Sequence, residues 1–210
     1  MTTKALRSDA TLIAAATTVH IAIAIALLTH AGRDVAATQL ALRTTARISF
    51  AWFIAAFVAA PLTRLWPGAV SQWLARRRRA LGVIFGLSMS IHVGFILRLF
   101  ALHAPARPPM VTDADFLIGV PGLAMVAMMT ITSLDSWKRR LGRISWKRLH
   151  RTGIWVVWTI FFLCLTDSVS RKETNYPVTA YYLFIAVLIA AAALRLVAFR
   201  AGAPADDSAA

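Results

Sequence analysis

The sequence predicts an all-α integral membrane protein: a bundle of six transmembrane helices with both termini in the cytoplasm. Three observations predict it. Of 210 residues, 59% are hydrophobic and only 15% are charged, against roughly 25% charged in an average soluble domain. The charges sit in short clusters separated by six stretches without Asp, Glu, Lys or Arg, at 10–32, 48–63, 80–97, 116–134, 152–166 and 174–194. Those stretches are apolar all round instead of alternating, which favours helices over a barrel. The apolar content excludes a disordered chain, and a single cysteine, Cys164, excludes a disulfide scaffold. A net charge of +14 would suit a nucleic-acid partner. Its arrangement in clusters that flank apolar stretches instead orients a membrane protein, and no nucleic-acid role is expected.

Taken in order, the spans are expected at about 10–32, 48–66, 79–101, 115–135, 149–168 and 176–198, forming one domain over 1–200. The first follows Lys4 and Arg7 as a signal peptide would. Its apolar run exceeds the roughly 7–15 residues of a signal core, so it reads as a retained helix. The second and fifth stretches are short for a core that needs about 17–25 residues. Snorkelling flanks such as Arg47, Arg64 and Arg151 would complete them. The tail 201–210 is small and polar and is expected to be disordered.

Lys and Arg set the orientation. The face holding the N-terminus, the second and fourth connections and the C-terminus carries 16 basic residues; the opposite face carries 7. The positive-inside rule puts the richer face, with both termini, in the cytoplasm. The clusters could alternatively bind anionic lipid head groups or an acidic partner.

Ionisable groups inside a span are costly and are the first functional candidates. No Asp or Glu lies at the centre of any span, which weakens proton-pump and cation-transporter readings. The histidines remain: His20 and His30 in the first span, His92 in the third, His103 beyond it and His150 at the start of the fifth. Histidine is a recurring axial ligand of membrane b-type haem. His92 lies thirteen residues after Arg79, so about 20 Å along its helix. Ser88 and Ser90 are small neighbours, and Gly86 and Gly94 would admit a flat macrocycle close to the backbone. The alternative is a neutral imidazole hydrogen-bonded to a neighbouring helix.

A resemblance enters at this segment. Arg78-Arg79-Ala80-Leu81-Gly82 through Ile91-His92 resembles the third helix of the ferric reductase-like transmembrane domain family. That family includes the haem-binding membrane subunit of bacterial periplasmic methionine sulfoxide reductase systems. Thr132-Ser133, Arg139-Arg140-Leu141-Gly142 and Trp146-Lys147-Arg148-Leu149-His150-Arg151 are similar to its fourth connection and the Leu-His pair opening helix five. Ala46-Arg47 followed by Ala60-Pro61-Leu62 also matches its second helix. The resemblance implies a b-type haem electron-transfer subunit in a bacterial inner membrane. It implies electrons from a cytoplasmic flavin reductase or quinol and an outer-face redox partner.

The chain is a divergent member on this reading. Relatives place a second histidine thirteen residues after the first on helix five, where this sequence has Leu163 followed by Cys164. His150 at the cytoplasmic end and His92 deep in the membrane could hardly flank one haem. His20, about 16 Å into the first span, lies within a turn of the depth of His92 and could replace the missing ligand if helices one and three face each other. Cys164 and the stripe Met125, Met128 and Met129 are weaker substitutes, better read as packing, as are Trp155 and Trp158 inside helix five. His150 could instead cap its helix or meet an anionic group with Arg148 and Arg151. At most one tightly bound haem is expected, with His92, His20 and His150 as the residues that could hold it. No glycine fingerprint for a flavin or nicotinamide cofactor is present. The competing expectation is a six-helix relative without haem, serving as an assembly or interaction subunit.

Overall fold

The computed structural model describes residues 3–30, 34–109, 111–170 and 178–201. It is all-helical over these residues: α1 Thr3–His30, α2 Val35–Leu65, α3 Ala69–His103, α4 Asp113–Ile131, α5 Asp135–Leu141, α6 Arg143–Ser170 and α7 Val178–Arg200. Among the described residues, six helices (all but the short α5) are long and apolar enough to cross a membrane. The chain is therefore a multi-pass membrane protein. The expected tail lies outside the described residues except for Ala201.

Helix ends differ from the charge-to-charge reading for local reasons. Arg43 and Arg47 do not stop a helix, so α2 begins well before residue 48, where the Asp34 carboxylate accepts the Ala37 N–H at 2.9 Å. At α4, Thr112 and Asp115 form a reciprocal capping box. The same helix stops at Ile131, short of 135, because the next amides fold back: Ser133 N–H bonds Thr130 C=O and Leu134 N–H bonds Ile131 C=O, both at 3.1 Å. Between α5 and α6 the chain turns through Gly142 at φ +73°, which a side chain would strain.

The contacts divide the chain into two units, 1–53 with 79–161 and 54–78 with 162–210. In the first, α2 buries every fourth residue, Ala37, Ala41, Thr45, Ser49 and Phe53, which is one helical stripe. The stripe is small and hydroxylic at first and aromatic at its end. Small residues permit close approach of membrane helices, and hydroxyls can hydrogen-bond across them. α3 answers with Leu81, Ile84, Phe85, Ser88, Phe95 and Leu99. Phe161 of α6 packs on Phe50, Phe53 and Phe85 with ring centroids 5.5, 5.2 and 6.3 Å away. In the second unit, Ser71 ties the α2–α3 turn by donating to Trp66 C=O at 2.7 Å and accepting Gly68 N–H at 2.9 Å. There Arg195 of α7 donates to Phe57 C=O at 2.8 Å and lies over the Phe57 ring.

Candidate functional site

Two pairs of residues four apart, one pair on α2 and one on α3, meet as rungs of a polar ladder. Thr45 Oγ1 is 3.0 Å from His92 Nδ1, and one turn along Ser49 Oγ is 2.7 Å from Ser88 Oγ. Ser88 Oγ is in turn 2.8 Å from Nδ1 of His20 on α1. Helices one and three therefore meet one turn from His92. An apolar cluster of Ala24, Ala41 and Phe95, flanked by Leu27, Leu28, Leu42 and Ile91, closes over the same three helices.

Each hydroxyl has a single hydrogen to give, and Thr45 Oγ1 lies 2.8 Å from Ala41 C=O as well as beside the ring. When that hydrogen goes to the carbonyl, His92 Nδ1–H donates to Thr45 and the neutral ring keeps its lone pair on Nε2. Ser49 Oγ also lies 2.9 Å from Thr45 C=O. When its hydrogen goes there, Ser88 donates to Ser49 and accepts from His20 Nδ1–H. Among the described residues, His20 Nε2 is buried and, with Thr17 Oγ1, lacks a hydrogen-bond partner; the whole His20 residue is 2% exposed.

His150 is held the other way round. Thr132 Oγ1 lies 2.7 Å from Met128 C=O and is hydrogen-bonded to the His150 ring at Nε2, 3.1 Å away. Trp146 lies on the His150 ring at 4.4 Å between centroids and donates its Nε1–H to Thr132 C=O at 2.9 Å. Lys138 Nζ sits 4.8 Å from the Trp146 ring, and Arg79 bonds Ser133 C=O and pairs with Asp135 at 3.2 Å. The α4–α5–α6 corner is thus a stacked, cation-covered knot. Of the other histidines, His103 bonds Leu99 C=O through Nδ1 at 2.9 Å, and the His30 side chain lies outside the described residues.

The model of the ferric reductase-like transmembrane component family matches residues 44–163, more than half of the chain. The chain belongs to this family. No curated protein and no solved structure matches it. Membership in a ferric reductase-like family points to a membrane electron-transfer role. The ferric reductase-like segment holds Thr45, Ser49, Ser88, His92, Thr132 and His150, while His20 lies outside it on α1.

Within this ferric reductase-like domain the other sequence candidates have plain surroundings. Gly86 is not open to a macrocycle, because the Thr130 side chain of α4 fills the place of its Cβ; Gly94 faces open space. Met125 and Met129 direct their sulfurs at Gly153 of α6 and fill the α4–α6 contact. Trp155 and Trp158 meet edge-on at 6.0 Å, and Trp155 lines a cavity of about 540 Å³ with Arg151, Thr152, Val156, Thr159 and Ile160. Leu163 is 40% exposed, and Cys164 is exposed. The sequence reading brought His20 and His92 to one depth but missed Thr45 and Ser49, and it saw Ser88 only as small. Hydroxyl residues four apart on one span were the available signal.

Proposed function

We propose that the chain is the membrane-embedded electron-transfer subunit of a b-type haem system, with His92 as the residue that would hold the iron. The observation that carries this is the Thr45–His92 hydrogen bond inside the family segment. With the Thr45 hydrogen given to Ala41 C=O, the hydroxyl holds Nδ1–H and leaves the Nε2 lone pair for iron, as the groups that hydrogen-bond ligating histidines do. The His92 imidazole is a nitrogen donor of the kind b-type haem takes, and it is the residue that would hold the iron. When bound, haem supplies one-electron exchange between ferric and ferrous iron, with its potential set by ligands and burial. Thr45 orients the His92 ring, and the apolar cluster of Ala24, Ala41 and Phe95 on the same three helices keeps water out.

Electrons come from a cytoplasmic flavin reductase or quinol and leave to an outer-face redox partner, one at a time. The membrane is the bacterial inner membrane, with both termini and the basic connections in the cytoplasm, as 16 against 7 basic residues support. The purified protein in detergent tests the reading through its dithionite-reduced minus oxidised spectrum and a pyridine haemochrome assay. A b-type spectrum with no more than one tightly held haem per chain is expected. Absence of haem after expression with haem supply would refute it.

One observation favours a second reading, a six-helix relative without haem that serves in assembly. The ladder is itself a set of interhelical hydrogen bonds, and such bonds hold membrane helices together without a cofactor, at about 0.6 kcal/mol each. The same spectrum separates the two.

A further inference from the structure

We infer that an anionic phospholipid seats along the bare face of α6, with its phosphate at Lys147 and Arg151 and an acyl chain in the groove that begins at Arg151. The occupant is a molecule of the bilayer, held at one place on the chain.

α6 packs by one face and leaves another uncovered. Gly153, Ile154 and Val157 are buried, with Met125 and Met129 of α4 against Gly153. On the uncovered side Arg143, Lys147, Arg151, Trp155 and Thr159 follow at every fourth residue and share a helix face. The three cations and Thr159 are exposed, and Trp155 is half-buried. The groove of about 540 Å³ runs from Arg151 to Ile160, within the roughly 300–1,000 Å³ of small-molecule sites. Ile160 also seats on Gly122 of α4 and so walls the groove on that side. Past Arg151 the groove lies wholly in the charge-free stretch 152–166, so whatever fills it there is apolar. Trp155 stands one turn from Arg151, at the level where tryptophan meets head groups. Before the groove the charge is uncompensated. The sequence has no Asp or Glu between Asp135 and Asp167, and Asp135 is engaged by Arg79. Lys138 and Arg140 lie over Trp146 and Trp137. Among the described residues, Arg143, Lys147 and Arg151 make no ion pair. Cations on successive turns above an apolar groove call for an anionic head on a hydrocarbon tail, and basic sites on membrane helices take anionic lipid heads in this way. The Arg151 guanidinium can grip a phosphate by two N–H bonds.

The test titrates the full chain, purified and delipidated in detergent, with dioleoyl phosphatidylglycerol or dioleoyl phosphatidylcholine and reads bound lipid by native mass spectrometry. One tightly retained phosphatidylglycerol per chain is expected. Phosphatidylcholine, with the same acyl chains and no net charge, should be held about tenfold more weakly or worse. Lys147→Gln with Arg151→Gln should weaken phosphatidylglycerol about 25-fold, at roughly fivefold per cation. Thr159→Trp keeps every charge but fills the groove from an exposed position, and it too should weaken the lipid. Arg76→Gln with Arg200→Gln removes the same charge from two exposed positions elsewhere and should leave the tight site unchanged. All variants are compared at matched thermal midpoint, so that lost binding is not lost fold. Equal retention of the two lipids, or equal loss in the two double variants, would overturn the site. Displacement of the lipid by inorganic phosphate as readily as by phosphatidylglycerol would show that the groove is not engaged, and would overturn it as well. A dimer that forms on delipidation and is broken by Thr159→Trp would give this face to a second copy of the chain instead.

Discussion

The ladder at His20 and His92 and the corner at His150 are built by the same device and turned to opposite ends. In each, a threonine on a helix lies against the carbonyl four residues back and is hydrogen-bonded to an imidazole. Thr45 meets Nδ1 of His92, and Thr132 meets Nε2 of His150. The first ring is held at the nitrogen nearer its backbone. The second is held at its tip and has Trp146 across its ring. On the haem reading proposed above, the first keeps its tip for iron and the second holds a corner.

The comparison can be broken in several ways, the strongest first. If the corner lies in the cytoplasm, Ser136→Cys in a Cys164→Ala background should react with an impermeant thiol reagent only from the cytoplasmic side, an all-or-none result. Labelling from outside would reverse the orientation that the basic residues predict.

Thr45→Val should weaken haem retention by roughly 10–100-fold, the usual cost of losing the group behind a metal-binding histidine. Thr132→Val should leave haem content unchanged. Haem titration of both variants checks the pair, and equal losses would erase the distinction. At the corner itself, Trp146→Phe removes the indole donor to Thr132 C=O and should cost about 1 kcal/mol of stability in detergent, with no change in the spectrum. The smallest effect is expected at the turn feeding that corner. Gly142→Ala places a Cβ on a residue at φ +73° and should cost about 1 kcal/mol, read as a lower thermal midpoint at unchanged haem content.

How far these differences were legible depends on the axis. Depth along a span follows from counting residues at 1.5 Å each, which is why His20 and His92 fell together and His150 fell apart. Rotation about the helix does not follow, because a span that is apolar all round has no polar face to orient it. That His20 faces α3 needed the structure. The six spans were legible because lipid demands long charge-free runs, but their ends were not. Arg43, Arg47 and the residues of α5 sit comfortably in helices, so charge clusters mark where the membrane stops and not where the helix does. Thr45 and Ser49 passed unnoticed because a hydroxyl in a span usually turns back to its own carbonyl. Both lie within reach of such a carbonyl here and still meet a partner across the interface.

The most direct measurement is the reduced b-type spectrum of His92→Ala beside that of His150→Ala, at matched protein and in the same detergent. The account predicts that the first loses the spectrum and that the second keeps it. A spectrum that survives in His92→Ala and disappears in His150→Ala would contradict the assignment of the site.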